Sequence, residues 1–265
     1  MFFLQMLEHT FIHIPGIGPK TEQWLWHQGI TTWVAFLAAK TPLFPPGKEK
    51  IARAVLEASI VHQRDAGFFH DLLPAREMWR IFGAFREKAV YLDIETNGGR
   101  QGIHEITIIG IFDGTQVRTF VSGRDLEAFE MAIADYDLII TFNGTTFDLP
   151  FVRRAFPGIS LPPAHIDLRF VLNRLGYRGG LKKIEKGLGI RRAPSIEGLS
   201  GFHAVRLWNT YECEGDMNAL DRLIQYNRAD IVNLEPLMEL AFAAMKKKLF
   251  REHFPDSNVS ANHPS

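Results

Sequence analysis

The chain has 265 residues, 46% of them hydrophobic, which is enough for one sizeable core and a small additional unit. Its 30 basic and 30 acidic side chains balance, so the net charge by itself indicates no class of partner. A single cysteine excludes an internal disulfide framework, and no apolar stretch approaches the roughly 18–20 residues of a membrane span, so we expect a cytoplasmic protein without membrane attachment.

The first 88 residues are predicted to form a small, all-helical module. Apolar spacing indicates helices over residues 48–64 and 75–88, and prolines with a glycine interrupt the chain over residues 42–47. A glycine-containing segment precedes both helices, with the sequence Ile14-Pro15-Gly16-Ile17-Gly18-Pro19-Lys20-Thr21. Because glycines let backbone amides approach a bound group closely, this segment is a candidate ligand-binding turn.

From residue 89 the pattern changes to strands. Apolar runs predict strands over residues 89–94, 103–112, 117–121 and 137–142. The dipeptide Asp113-Gly114 predicts a hairpin between the second and third of these strands. Helical spacing follows over residues 126–134 and 147–156. Three antiparallel strands, a helix, a further strand and then mostly helices predict an α/β fold, a mixed sheet flanked by helices.

The last third of the chain is predicted to be helical. Short helices are expected over residues 168–175, 181–188 and 202–211, and a long helix over residues 217–250 with a kink near Pro236. The polar residues 251–265 are expected to be disordered.

Charge is distributed unevenly along this region. Residues 89–148 carry three basic and ten acidic side chains, whereas residues 149–194 carry ten basic and two acidic ones. An acidic segment followed by a basic one is what a metal site beside a phosphate-binding surface requires. The alternative is that the basic residues form a solvated helical face.

Four carboxylates and a tyrosine lie in three separate motifs. Asp93 and Glu95 end a predicted strand on one face, Asp148 follows another strand, and Tyr226 and Asp230 lie one turn apart on a helix. Individually these residues also fit a solvated strand end, a helix cap and an exposed helical acid. Together they predict a site for hard divalent cations bound through oxygen, and hence phosphodiester cleavage with two metal ions.

The region 89–250 resembles the ribonuclease-H-like 3'→5' exonuclease superfamily, and in particular its DEDDy branch and bacterial stand-alone ribonuclease-H-like proteins. The matching motifs are Asp93-Ile94-Glu95, Asn143-Gly144 through Phe147-Asp148, and Tyr226 through Asp230. The segments Gly180 through Glu185 and Leu188-Gly189-Ile190 match as well. The resemblance implies a ribonuclease-H-like mixed sheet of three antiparallel strands plus parallel strands, flanked by helices.

The resemblance also implies roles for the five motif residues. Asp93 would bridge two Mg²⁺ or Mn²⁺ ions, Glu95 and Asp230 would complete the first site, and Asp148 would bind the second ion through water. Tyr226, whose reference pKa is near 10, would orient the attacking water rather than act as a base.

Other residues are candidates for binding the substrate. They are Thr96, Asn97, Asn143 and Phe147 in the motif loops, and Arg178, Lys182 and Lys183 in a basic segment that also holds Arg191 and Arg192. Asp167 either supports the site from behind or only caps a helix.

The expected activity is 3'→5' exonuclease action on DNA, with single-stranded or frayed ends preferred. An RNA-trimming exoribonuclease, a ribonuclease-H-type endonuclease and a catalytically weak nucleic-acid-binding scaffold are the alternatives. We expect DNA more than RNA as the partner, and a monomer.

Residues 11–37 resemble a helix-hairpin-helix DNA-binding motif. The resemblance implies that Gly16, Ile17, Gly18 and Lys20 hold DNA phosphates, largely through backbone amides at the start of a helix. The alternative is a protein scaffold, because Trp24, Trp26 and Trp33 are bulky for so small a unit.

Overall fold

The structure is a computed structural model that describes residues 6–99 and 104–253. The chain divides into two compact units. The first, which we call the helical unit, comprises the chain up to Ala84 together with the chain from Phe242, and the second, the sheet unit, comprises Phe85–Ala241. From the sequence we predicted this boundary at residue 88, with the whole of residues 217–250 in the strand-containing region that follows it.

The helical unit consists of short helices around an aromatic core. Its helices are α1 (Pro19–His27), α2 (Trp33–Ala38), α3 (Pro46–Val61), α4 (Ala66–Leu72) and the start of α5 (Phe82–Phe85), with 3-10 turns at Leu7–His9 and Ala75–Ile81. Trp26 and Trp33 are buried, and their indole nitrogens donate hydrogen bonds to the carbonyls of His9 at 3.1 Å and Thr10 at 2.7 Å. These two tryptophans therefore build the core of the unit, whereas Trp24 is exposed.

The sheet unit is built on five strands. They are β1 (Ala89–Thr96), β2 (Ile106–Phe112), β3 (Val117–Val121), β4 (Leu138–Thr141) and β5 (Ala164–Asp167), in the spatial order β3-β2-β1-β4-β5. The first three strands pair antiparallel, and β4 and β5 continue the sheet in parallel from β1. This mixed α/β sheet confirms the predicted fold class.

Helices pack on the sheet because the central strands are apolar on both faces. The helices of this unit are α6 (Phe129–Ile133), α7 (Asp148–Ala155), α8 (Leu168–Arg174), α9 (Leu181–Gly187), α10 (Gly201–Glu214) and α11 (Met217–His253, of which the part to Ala241 belongs to this unit). One core cluster joins Leu92 and Ile109 to Phe129 and Val152, and the other joins Ile108 to Trp208 and Leu223. Burial on both faces explains why β2 has no polar alternation.

Several local predictions need correction. The predicted helix over residues 75–88 is largely 3-10, and the predicted helix over residues 126–134 begins with a 3-10 turn at Leu126–Ala128. The short strand β5 was not predicted. Helix α11 continues through Pro236 as far as His253, so the first residues of the expected disordered tail are helical. The predicted start of the second strand at residue 103, and residues 254–265, lie outside the described residues.

No helix within residues 6–99 and 104–253 combines the length and the apolar character needed to cross a membrane.

Candidate metal and active site

Three carboxylates meet where β1 contacts α11. Asp93 and Glu95 are two residues apart on β1, so both side chains lie on the sheet face that α11 covers. Asp230 comes from α11, and one oxygen from each of the three carboxylates lies within 4.8 Å of the others. The predicted first and third motifs are therefore brought together, as the metal hypothesis requires.

A glycine on β2 lets α11 approach this closely. Gly110 pairs with Asp93 across the sheet, and a Cβ atom at Gly110 would lie 1.9 Å from the Oδ1 atom of Asn227. Asn227 is fully buried, and its Nδ2 donates to the Asp93 carbonyl at 3.2 Å and to Asp93 Oδ2 at 3.0 Å. Asn227 thus holds the Asp93 carboxylate in place. The sequence interpretation missed it, although a polar residue directly after Tyr226 was a usable signal.

Asp148 approaches the same strand from α7. It is the first residue of that helix and is buried, and its Oδ1 accepts a hydrogen bond from the Ile94 amide at 3.0 Å. Burial, with negative charge on Asp167 and Asp230, raises the pKa of Asp148 to about 7 against the lowering effect of its backbone hydrogen bonds. Its side chain therefore reaches toward the carboxylate cluster, and Phe147 occupies the N-cap position of α7.

Burial and mutual repulsion disfavour the charged forms of these acids. The pKa of Asp93 is raised well above its usual value by burial and then by Asp230, Asp148 and Glu95. The pKa of Glu95 is raised by burial and by Asp230, and burial also raises the pKa of Asp230 against the opposing charge of Arg192. An oxygen-rich cluster of this kind is stabilised by added positive charge, so the residues fit hard cations such as Mg²⁺ or Mn²⁺.

Tyr226 lies beside the carboxylates with a lysine on its ring. It is 3% exposed, and burial together with the charges of Asp230, Glu95 and Asp93 raises its pKa above the usual value. The Lys182 Nζ atom donates a hydrogen bond to the Tyr226 hydroxyl and lies 4.1 Å from the ring centroid. Tyr226 therefore keeps its proton at neutral pH, so its hydroxyl can donate a hydrogen bond.

Arg192 is inserted into the site rather than exposed on a strand-guiding surface. Its guanidinium donates two hydrogen bonds of 2.7 Å to Glu185, and it also donates to Asp230. Glu185 is buried and accepts a further bond of 2.9 Å from Asn233. Glu185 thus fixes the guanidinium of Arg192, which in turn orients the Asp230 carboxylate. The sequence interpretation grouped Arg192 with the surface basic residues and assigned no role to Glu185 or Asn233.

Asp167 both caps a helix and shapes the loop after β4. Its carboxylate accepts from the Arg169 amide at 3.1 Å at the start of α8. It also accepts from the amides of Asn143 at 2.8 Å and Thr145 at 3.1 Å. Asn143 has a φ of 70°, a left-handed conformation that asparagine tolerates better than most residues. Asp167 therefore does more than cap α8, because its carboxylate also fixes the loop that follows β4.

The remaining predicted residues differ in their surroundings. An open cleft of about 250 Å³ is lined by Asp93, Phe142, Gly180, Leu181, Lys182, Lys183 and Asp230, so Lys182 and Lys183 lie beside the carboxylate cluster. Thr96 is half-buried, Phe147 is 38% exposed and Arg178 is exposed.

The side chains of Asn97 and Asn143, which are predicted to bind substrate, already accept hydrogen bonds within the protein. The Oδ1 atom of Asn97 accepts from the amides of Gly99 at 3.0 Å and Glu105 at 3.2 Å. The Asn143 Oδ1 atom accepts from the Thr146 hydroxyl at 3.1 Å and from Arg169.

The N-terminal turn has the accessibility that its glycines predict. Gly16 has a φ of 78°, and a Cβ atom at Gly16 or Gly18 would meet no atom within 4 Å. Lys20 is exposed in the first turn of α1. In contrast, the Ile17 side chain is buried and its amide donates to the Ile14 carbonyl at 3.0 Å. Ile17 therefore anchors the turn.

Comparison with known proteins gives a family and several structural likenesses. A family profile described as the RNase_H superfamily matches residues 90–242. A search among curated proteins found no match. The family B DNA polymerase of the archaeon Pyrobaculum calidifontis is 17% identical with a TM-score of 0.44, and the similarity covers 59% of this chain but only 24% of the polymerase.

Two smaller structures are covered almost completely. The EXO domain of Aedes aegypti Nibbler is 13% identical with a TM-score of 0.34, and the similarity covers 65% of this chain and 89% of that domain. Brucella melitensis NrnC with bound Mg²⁺ is 20% identical with a TM-score of 0.32, over 68% of this chain and 92% of NrnC.

Proposed function

Because the chain belongs to the RNase_H superfamily, we propose that it is a metal-dependent 3'→5' exonuclease of the DEDDy type. Its substrate would be the 3' end of DNA, with single-stranded or frayed ends preferred. The observation that carries the proposal is the cluster of Asp93, Glu95 and Asp230 oxygens within 4.8 Å of one another. Asp148 and Tyr226 complete the set around the same strand end.

The carboxylates divide into two candidate ligand sets. Asp93, Glu95 and Asp230 would hold one Mg²⁺ or Mn²⁺ ion, and Asp93 with Asp148 would hold a second. Ions held there would supply a lowered pKa for the attacking water and positive charge beside the departing 3' oxygen. The protein holds the carboxylates in position for the ions. Asn227 on α11 fixes Asp93, and the Ile94 amide fixes Asp148.

Tyr226 is proposed to orient the attacking water through its hydroxyl. A buried phenol whose pKa is raised cannot serve as a base near neutral pH, but it can hold one lone pair of a water molecule in a fixed direction. Lys182 donates to that hydroxyl and so fixes its rotamer. The ammonium group of Lys182 also brings positive charge to the cleft into which a phosphate must enter.

The N-terminal turn is proposed to contact DNA phosphates through the amides of Gly16 and Gly18 and the side chain of Lys20. Its exposed glycines and the start of α1 support this role. Such contacts carry no base specificity, so they would hold substrate without selecting its sequence.

A degradation assay tests the proposal. DNA and RNA oligonucleotides of the same sequence, labelled at the 5' end, are incubated with Mg²⁺, Mn²⁺ or chelator. We expect a ladder of products shortened from the 3' end, formed only with metal and faster on DNA. A 3'-phosphorothioate-blocked oligonucleotide serves as the control for direction.

The other outcomes of this assay would redirect the assignment. A faster ladder on RNA would make the protein an exoribonuclease, and internal cuts on the blocked substrate would indicate an endonuclease. No cleavage of either polymer would leave a binding protein without catalysis.

A further inference from the structure

A shallow groove on the helical unit combines aromatic and cationic side chains. It has a volume of about 420 Å³ and is lined by Lys20, Thr21, Trp24, Leu43, Phe44 and Lys48. One wall is α1, where Lys20 and Trp24 are four residues apart and so share a face. The other wall is the loop before α3 with the first turn of that helix. Volumes of this order lie within the roughly 300–1,000 Å³ of small-ligand clefts.

Trp24 presents an aromatic surface to this groove. Its side chain is 41% exposed, whereas the other tryptophans of the described helical unit are buried. The Trp24 ring lies 5.8 Å from the Phe44 ring, measured between centroids, at an angle of 42°. An indole held at the surface beside a second ring offers a face on which a planar group can stack.

The opposing wall is rigid before any ligand arrives. The Glu49 carboxylate accepts hydrogen bonds from the amides of Leu43 at 3.1 Å and Phe44 at 3.2 Å. Arg53 in turn donates to Glu49 at 2.8 Å and to the carbonyl of Leu37 at 2.9 Å. The loop that carries Phe44 is therefore fixed, so binding would cost little conformational entropy on this side.

The charge of the groove comes from its lysines. Lys48 Nζ lies 4.4 Å from the Phe44 ring centroid and donates to the Gly16 carbonyl at 2.9 Å, which places a cation next to the glycine turn. The acids in the first turns of α1 and α3, Glu22 and Glu49, are buried and paired with arginines. Lys20 is thus exposed and Lys48 half-buried at the groove, while these neighbouring carboxylates are already paired with arginines.

We propose that this groove binds an unpaired nucleotide of a single-stranded nucleic acid. The base would stack on Trp24 beside Leu43, and the adjoining phosphates would contact Lys20 and Lys48. Stacking on an exposed aromatic ring requires a free base face, which an intact duplex does not offer within its length. The groove would therefore select single strands, whereas the phosphate contacts proposed for the glycine turn need no free base. The proposal rests on the proposed function in that it takes the substrate to be nucleic acid.

Binding is measured with the full-length protein in chelator, so that no cleavage occurs. Fluorescence anisotropy with a labelled oligothymidylate and a duplex of equal length gives both affinities. For the single strand we expect Trp24→Ala to weaken binding about 5- to 100-fold and Trp24→Phe to restore most of it. Lys48→Ala should reduce the salt dependence of binding by about one counterion.

The matched control is Lys50→Ala. Lys50 is an exposed lysine on α3, two residues from Lys48 and so on a different face, and its removal makes the same change in net charge. We expect its single-strand affinity to stay within about twofold of wild type. Equal losses for Lys48→Ala and Lys50→Ala would overturn the proposal, because they would indicate general charge attraction.

Photocrosslinking provides a result that no folding defect can imitate. Wild-type protein is irradiated with an oligonucleotide containing 4-thiothymidine, and the attached peptide is identified by mass spectrometry. A crosslink within residues 20–48 supports the groove, whereas crosslinks confined to residues 85–241 would overturn it. Single-strand binding unaffected by Trp24→Ala would also overturn it.

The metal-dependent nuclease assay is read separately on a short oligonucleotide at saturation. Trp24→Ala should raise KM for longer strands more than for this short one. If wild type cleaves nothing but its single-strand binding still depends on Trp24, the exonuclease proposal fails and the groove stands.

Discussion

The two units of this protein bury charge in opposite ways. In the helical unit, Arg80 is 2% exposed and donates to both oxygens of Glu22 at 3.0 Å and to Glu77 at 2.9 Å. Glu22 also accepts from the Phe11 amide at 2.7 Å, and Arg76 lies 3.9 Å from Glu77. The two buried carboxylates thus share the buried guanidinium of Arg80, and the exposed guanidinium of Arg76 brings the network close to neutral.

In the sheet unit the negative charges outnumber the positive ones. The described residues around the site include six carboxylates but three cations, an excess of three. The carboxylates are Asp93, Glu95, Asp148, Asp167, Glu185 and Asp230, and the cations are Lys182, Lys183 and Arg192. Buried charge that its own fold neutralises contributes to structure, whereas buried charge left in excess creates affinity for an external cation. This difference in charge is the physical reason for proposing a metal site in the sheet unit and a structural role for the network in the helical unit.

The largest expected effect comes from removing one negative charge from the carboxylate cluster of the sheet unit. Asp93→Asn keeps the size of the side chain but removes a metal ligand, so we expect exonuclease activity to fall on the order of 10³-fold or more. Because the change also relieves repulsion among buried carboxylates, the unfolding temperature in chelator should not fall. Activity is followed with the labelled oligonucleotide and stability by thermal denaturation. Wild-type rates in this variant would refute the assignment of Asp93.

The same chemical change in the balanced network should act on stability alone. Glu22→Gln leaves Arg80 buried without its main partner, and breaking such a pair costs about 3–5 kcal/mol of unfolding free energy. Tryptophan fluorescence in urea measures it, since four of the five tryptophans belong to the helical unit, namely Trp24, Trp26, Trp33 and Trp79. Glu57→Gln, at an exposed position on α3, is the control and should change stability by less than about 0.5 kcal/mol.

A variant of Tyr226 tests whether a neutral group beside the carboxylate cluster has a catalytic role. Tyr226→Phe keeps the buried ring but removes the hydroxyl that Lys182 contacts, so we expect kcat to fall about 10- to 1,000-fold with little change in unfolding temperature. Tyr211→Phe, on α10, removes a hydroxyl that contacts Arg124 and should leave kcat unchanged. If both variants matched wild type, Tyr226 would serve only in packing.

How far the sequence predicts this arrangement depends on the range of the interactions involved. Asp93 and Asp230 were identifiable because their residue types and spacing suit metal binding on a strand and a helix. Arg192 was not, since Arg191 beside it is an exposed basic residue and the contact of Arg192 with Asp230 spans 38 positions. The position of Asn227 after Tyr226 was a local signal, but its partner Asp93 on β1 lies 134 positions away and could not be read from the sequence.

The fold shows the same limit. Strands β1 and β2 were predicted because long apolar runs need burial on both faces. The four-residue strand β5, Ala164–Asp167, follows two prolines and acquires its conformation by pairing with β4, which no local pattern reveals. Helix α11 looked uniform in sequence, yet its residues from Phe242 belong to the helical unit, where Phe242 packs against Trp79 and Phe82.

The smallest expected effect concerns a neutral group in the helical unit. Burial, assisted by the charge of Arg80, lowers the pKa of His13 to about 3, and His13 Nε2 lies 2.9 Å from the Ser59 hydroxyl. The folded state then keeps His13 neutral while the unfolded chain binds a proton near pH 6.5, so stability falls as the pH drops below that value. We expect His13 to account for a loss of about 1 kcal/mol between pH 7 and pH 5.5.

His13→Gln removes this titration. The pH dependence of urea unfolding, again followed by tryptophan fluorescence, should be shallower by that amount in the variant than in wild type. Parallel slopes for the two proteins would show that His13 is protonated in the folded state or does not affect stability.

Metal titration tests the central contrast most directly. Mn²⁺ and Mg²⁺ are titrated into chelator-treated wild type, Asp230→Asn and Glu22→Gln by calorimetry at a temperature where all three are folded. The account predicts saturable binding to wild type and Glu22→Gln, with a raised unfolding temperature for the wild-type sheet unit, and loss of that binding in Asp230→Asn. Equal metal binding by wild type and Asp230→Asn, or none by wild type, would contradict it.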